Sequence, residues 1–286
     1  MGFLSGLNCL GSTKDRKRFG PGIHTRNCVG LGDWIISTAE ARHYHEVYER
    51  PVVFANKKTR RVFWSEVFEN NPKIIKEPQP GQDVVVVENY PGNRPYIKQV
   101  TTDRYYYNPN FIIEPGEIFL TAEEDRGISG AVIVEPHTKT EMGLSRNKAW
   151  PWERWQELVK TLNLPWVQLG PTGTRVLDGV QFIETPRFRD ALGYVKACSL
   201  VVTTDGALHH AAAAFEKDAV VLWGGVAGPD ILGYRTHKNL RAEVETCGSL
   251  KDCPHCKEAM GKITLNMVAD EVLRLSQRQS STGRGP

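Results

Sequence analysis

The feature that most restricts this chain is the order of four apolar runs between residues 131 and 223. The runs 131–135, 166–169, 200–203 and 219–223 are short, rich in β-branched residues and nearly free of charge. Strands buried on both faces of a parallel sheet have that composition. Helical patterns separate them, at 152–162, 189–197 and 209–215, and Pro151 suits the first turn of the first one. This β-α-β-α-β-α-β order predicts a doubly wound unit with ligands at the carboxyl ends of its strands.

Upstream, 35–48 is predicted helical behind Gly30-Leu-Gly-Asp33, and 51–55 and 83–88 are predicted strands. A polar helix-like stretch runs into Trp64-Ser-Glu-Val-Phe68. The segment 89–115 is rich in Tyr, Asn and Pro, has no helical period, and reads as an irregular excursion. A second set of alternations begins at 116–121, and a last helical pattern covers 263–275. The boundaries that follow are a flexible basic arm at 1–21, an N-terminal lobe at 22–115 and a C-terminal lobe at 116–275, the lobes that the resemblance given below implies for acceptor and nucleotide-sugar respectively. A Gln/Ser/Gly/Arg tail at 276–286 is expected to be disordered.

At 286 residues the chain is long enough for two modest cores. Its net charge of +3 is too small to argue for nucleic acid. No apolar run approaches the ~20 residues that a membrane-spanning helix needs. The mildly apolar start precedes Lys14, Arg16, Lys17 and Arg18, the reverse of a secretory signal, and Gly6 breaks the myristoylation pattern. A cytoplasmic protein is expected, its basic arm either frayed or in weak peripheral contact with an anionic membrane surface. Six cysteines in a chain of this size do not make a disulfide scaffold.

The densest chemistry lies in Leu200-Val-Val-Thr-Thr-Asp205-Gly206-Ala207-Leu208-His209-His210 and the alanines after it. A strand ends, a tight Asp-Gly turn follows, and a helix of small residues begins. Its first N–H groups and dipole would suit a diphosphate, and an ordinary N-capped helix fits the same residues equally. Two glycine loops follow neighbouring strands, Gly170-Pro-Thr-Gly173 and Gly224-Gly225 to Pro229. Ser145-Arg-Asn-Lys148 leads into the Pro151 helix, where the Lys148 ammonium could reach a phosphate or simply be solvated.

Together these stretches resemble the heptosyltransferases, which build the inner core of bacterial lipopolysaccharide. The resemblance rests on Lys148-Ala-Trp150-Pro151 with Trp155, on Asp205 to His210 with the alanine helix, on the Gly225–Pro229 loop, and on Gly32-Asp33-Trp34 with Thr38. Gly206 and Ala207 stand where the family has Thr and Gly. The resemblance implies a GT-B α/β fold, two Rossmann-like doubly wound lobes facing a cleft, here with a reduced N-terminal lobe. It implies an inverting, metal-independent glycosyltransferase that needs no cofactor and takes a nucleotide-diphosphate sugar, ADP-heptose as the first guess. Asp33 is then the general base, with a helix cap as its bland role. Gly32, Ser145, Lys148, Gly170, Asp205, Gly206, Ala207, His210, Gly225 and Pro229 bind the substrates. The acceptor is a glycan, a lipid-linked sugar such as the lipopolysaccharide core, or hydroxymethylated DNA.

Cys247, Cys253 and Cys256 form C-x5-C-x-x-C with His255 inside. That set suits a structural zinc, although His255, lying between two cysteines, is awkwardly placed to share one ion. Tyr105-Tyr106-Tyr107, with Arg104, Tyr90, Tyr96 and Arg94 nearby, form either an acceptor platform or loop packing. A non-catalytic nucleotide-sugar-binding protein and a zinc-stapled interaction protein are the readings from other classes.

Overall fold

The computed structural model describes residues 30–90, 92–136 and 143–282. The basic arm, Cys9, Cys28 and the strand that the resemblance puts ahead of Gly32 lie outside them. Gly30 caps the first helix, α1 (Leu31–Tyr48), and Asp33 turns back to accept the Gly30 N–H at 2.9 Å. A carboxylate there also complements the helix dipole, so the helix begins earlier than residue 35. β1 (Val52–Phe54) and β2 (Val85–Val87) pair in parallel, with Val53 opposite Val86. Between them the expected helical stretch is only a 3-10 turn, Glu66–Phe68, capped by Ser65.

The 89–115 excursion is less irregular than its composition suggests. It holds an antiparallel hairpin of β3 (Ile97–Val100) and β4 (Tyr105–Tyr107). Part of what fixes this hairpin comes from far along the chain. Tyr105 N–H donates to Gly248 O and Leu250 N–H donates to Asp103 O, both at 2.8 Å.

The C-terminal part is a six-stranded parallel sheet. In chain order its elements are β5 (Val132–Glu135), α2 (Gly143–Arg146), α3 (Trp152–Thr161), β6 (Trp166–Gly170), β7 (Gln181–Glu184), α4 (Phe188–Ala197) and β8 (Leu200–Thr204). Then follow α5 (Ala207–Ala214), β9 (Asp218–Trp223), α6 (Pro229–Leu232), β10 (Lys238–Arg241), α7 (Pro254–Lys262) and α8 (Leu265–Thr282). Strand order is β10-β9-β8-β5-β6-β7, the doubly wound arrangement whose order reverses between β5 and β8. The four apolar runs are its four inner strands. β7 and β10, not anticipated, are the edges. α8 runs to Thr282 where a disordered tail was expected from 276. Its packed turns at Val268, Val272 and Leu275 nucleate it, and extending a formed helix costs far less than starting one.

One face of the sheet, with Ile133, Val201 and Val221, packs on α4 and α5 and continues without a break into Trp34, Ile35, Phe54 and Phe68 of the N-terminal part. The other face packs on α3 and α8 through Trp155, Leu158, Val268 and Val272. The connecting segment 116–130 forms no strand and is pressed flat between the two parts. A Cβ at Gly116 would lie 2.6 Å from Thr38 Oγ1, and one at Gly193 would lie 2.7 Å from Arg126 O. Glu117 N–H donates to Thr38 Oγ1 at 2.6 Å.

Arg189 is fully buried at this junction. Its guanidinium grips Glu124 at 2.5 and 2.6 Å, donates to Glu66 O at 3.0 Å and Glu69 O at 3.3 Å, and also reaches Phe119 O. One side chain therefore ties α4, the 3-10 turn and the connecting segment together.

Candidate active site

Where the strand order of a doubly wound sheet reverses, the connections leave in opposite directions and open a crevice at the carboxyl edge. Lys148 and Asp205 meet across this point. Asp205 follows β8, Lys148 lies between β5 and α3, and Lys148 Nζ stands 2.5 Å from Asp205 Oδ2. The carboxylate is 6% exposed and the lysine side chain 23%. Ser145 O accepts the Lys148 N–H at 3.0 Å, shaping the turn that presents the ammonium. Beside it, Asn147 is wholly buried, donating to Lys251 O at 2.6 Å and accepting the Cys253 N–H at 2.8 Å.

α5 begins at Gly206, whose extended backbone (φ −172°) makes no demand for glycine. Gly206 N–H donates to His209 Nδ1 at 3.1 Å, and His209 Nε2–H donates to Leu232 O at 3.2 Å. That fixes the neutral tautomer, so Asp205 Oδ1 at 4.0 Å is a polar neighbour and not an ion partner. Burial, helped by His210, holds His209 well below the usual imidazole range. His210 Nδ1 is hydrogen-bonded to Tyr234 OH at 2.9 Å, and burial together with Lys148 pushes its pKa down as well. Asp205, His209 and His210 bring potential ligand atoms together, but each already has a protein partner.

Burial also takes His237 down to about 4. All three imidazoles stay neutral when folded and become charged when unfolded below about pH 6.5. The unfolded chain then binds the extra protons, so stability falls as pH drops through that window. We expect a loss of about 1.4 kcal/mol per imidazole per pH unit below that point. Urea unfolding at pH 7.5, 6.5 and 5.5 measures it, and a flat profile would contradict the neutral assignment.

The first turn of α1 lies against the first turn of α5. A Cβ on Gly32 would sit 2.6 Å from His210 Cδ2 and 3.4 Å from Ala207 Cα, so glycine is required for the approach. The two parts touch at this point. Next to that contact, Asp33 accepts from Gly30 N–H and from Tyr96 OH, and pairs with Arg94 Nη1 at 3.1 Å. Tyr96 is pushed well above the usual phenol range, first by burial and then by the Asp33 charge, and so remains a donor. Tyr105 is raised by burial and by Asp33, against the opposing charges of Arg94 and Lys148. Arg94, Tyr96 and Tyr105, grouped in the sequence as an acceptor platform or packing, thus line the space beside Asp33. Nothing in the spacing of 89–115 signals that Arg94 and Tyr96 hold that carboxylate.

Gly32, Asp33, Lys148, Asp205, Gly206, Ala207 and His210 therefore form one neighbourhood. Gly225 and Pro229 follow β9, the next strand out, and Pro229 starts α6. Gly170 ends β6, on the far side of β5, and the space beside it is filled by Thr174 of its own loop. The lack of a side chain at Gly225 also has an internal reason, since a Cβ there would be 2.8 Å from His255 Nδ1 and 3.3 Å from Cys256 Sγ. Two shallow pockets, one beside Trp64 and Lys76 and one beside Trp152 and Arg175, are lined by none of these residues.

The cysteine segment corrects the objection raised against His255. Cys247, Cys253, His255 and Cys256 bring one potential ligand atom each within 4.8 Å of all the others. Cys253 caps α7 and Cys256 stands three residues on, so the two share a face. The longer imidazole of His255 reaches the same point.

Among the described residues no helix is long and apolar enough to cross a membrane. No protein-family model matches the sequence, and no curated protein matches it. Solved structures do. The iron-containing dodecameric glycosyltransferase TibC from enterotoxigenic E. coli H10407 is 13% identical with a TM-score of 0.59, over 88% of this chain and 74% of that one. The family 9 glycosyl transferase from Veillonella parvula DSM 2008 is 13% identical with a TM-score of 0.56, over 87% and 95%. E. coli ADP-heptose lps heptosyltransferase II is 18% identical with a TM-score of 0.45, over 58% of this chain and 54% of that one. The chain thus spans about half the length of that heptosyltransferase. At these identities the likeness speaks to architecture, and the chain shares the fold of the TibC and family 9 glycosyltransferases.

Proposed function

We propose that this chain is an inverting glycosyltransferase that moves a sugar from a nucleotide-diphosphate donor to an acceptor hydroxyl. The observation that carries this reading is the Lys148–Asp205 pair bridging the sheet's switch point beside the first turns of two helices. Backbone N–H groups at the start of α5 and the ammonium of Lys148 are suited to a diphosphate. Asp205 holds the lysine in place until the donor arrives. Asp33, across the contact at Gly32, takes the proton from the acceptor hydroxyl as its oxygen attacks the anomeric carbon. The bond from that carbon to the diphosphate oxygen breaks, and its electron pair leaves with the nucleoside diphosphate. Lys148 and the helix end meet the charge that develops there, so this step calls on no divalent ion. Tyr96 and Arg94 orient the Asp33 carboxylate and leave its outer lone pairs for the acceptor. ADP-heptose is the first donor to try, and a glycan or lipopolysaccharide-core hydroxyl the first acceptor.

Calorimetric titration with ADP, UDP, GDP, CDP and dTDP tests the donor half. One diphosphate is expected to bind selectively, and Lys148→Ala to weaken it roughly 10–100-fold, the equivalent of one charge-assisted hydrogen bond. If none of the five binds the wild-type chain, the transferase reading fails.

A further inference from the structure

We propose that Cys247, Cys253, His255 and Cys256 form a tetrahedral zinc site that braces the loops around the switch point. Three thiols and an imidazole are a complete ligand set for structural zinc. Around such an ion, with bonds of about 2.0–2.3 Å, ligand atoms stand roughly 3.5–3.8 Å apart. The four groups already lie within 4.8 Å of one another, and Cys247 Sγ and Cys256 Sγ are 3.2 Å apart. The three cysteines are free. His255 Nδ1 is buried with no hydrogen-bond partner, an expensive state for a ring nitrogen unless something else engages the imidazole. Cys253, His255 and Cys256 occupy the cap and first turn of α7, so one short stretch of backbone sets three of the four groups.

The surroundings say what the centre would do. Cys247 N–H donates to Gly225 O at 2.7 Å and Gly248 N–H to Val226 O at 3.0 Å, tying the ligand loop to the turn after β9. Tyr105 N–H donates to Gly248 O, so the tyrosine hairpin hangs from the same loop. Asn147 accepts the Cys253 N–H and reaches Lys251 O, joining the loop to the turn that presents Lys148. Three segments that have no strand or helix in common with one another are thereby fixed to one small loop. That loop, 247–253, contains no strand or helix. A metal cross-link supplies the rigidity that its backbone lacks.

The test is elemental analysis of the full chain, purified without chelator or affinity metal, alongside Cys253→Ser and His255→Asn. One zinc per chain is expected in the wild type, and clear loss in the variants. Replacement by cobalt is expected to give the intense thiolate charge-transfer and visible bands of a tetrahedral Co(II) centre. Absence of stoichiometric zinc, another metal such as iron in its place, or mass-spectrometric evidence that Cys247 and Cys256 form a disulfide in the purified chain would overturn the proposal. Neither readout depends on nucleotide binding or sugar transfer, so the centre and the transferase reading fail separately.

Discussion

Arg189→Ala is expected to destabilise the protein by about 3–5 kcal/mol, the cost of breaking a buried ion pair from one side. For a chain of this size that is a fall in Tm of roughly 5–8 °C. The substitution removes the cation that two Glu124 oxygens face, and it leaves the carbonyls of Glu66, Glu69 and Phe119 without their donor. Replacing both partners, as in Arg189→Met with Glu124→Leu, is expected to recover part of the loss, because no charge is then stranded. The interaction also has a pH signature. The Arg189 hydrogen bonds hold the Glu124 carboxyl below the usual carboxylate range. Its contribution is therefore complete above the ordinary glutamate value and disappears as pH falls through the depressed one. Thermal unfolding of the three proteins reads this directly. A single variant within 1 kcal/mol of wild type would mean that water replaces the guanidinium.

Asp33→Asn is expected to lower the rate of sugar transfer about 10²–10⁴-fold while leaving nucleotide diphosphate affinity unchanged. The amide oxygen can keep the Gly30 N–H that Oδ2 accepts, so the first turn of α1 keeps its cap, and the amide N–H can donate to Tyr96 OH where Oδ1 accepted from it. What is lost is the capacity to take a proton. Transfer assays and calorimetry on the same preparation separate the two effects. Equal loss of rate and donor affinity would show Asp33 to be a positioning residue, with its charge serving Arg94.

Most of the sheet could be read from the sequence because its inner strands are buried on both faces and need continuous apolar runs. β7 and β10 escaped because they are edges. Gln181-Phe-Ile-Glu184 has exposed polar ends, and only Leu240 of Lys238-Asn-Leu-Arg241 is buried. An edge strand pairs on one side only, and charge there discourages pairing with other chains. The candidate site divides in the same way. Lys148 and Asp205 sit at strand ends, where local pattern and fold class together point to ligands. Arg94 and Tyr96 reach Asp33 only through a hairpin held by Gly248 and Leu250, and no spacing within 89–115 records that. His255 looked misplaced beside Cys256 because sequence distance says nothing of how a cap residue and its first turn converge.

The unbroken core beneath α1 has a consequence for how the protein is made. Trp34, Ile35, Phe54 and Phe68 complete their packing against a surface built from β5, β8, β9, α4 and α5. Those elements leave the ribosome well after them. β8 follows β2 by more than a hundred residues, which at ordinary translation speeds is a delay of roughly 5–20 s. During that interval two three-residue strands and one helix have aromatic side chains and no partner surface. Until then these aromatic side chains stay uncovered on the nascent chain, and a chaperone would find a binding site there.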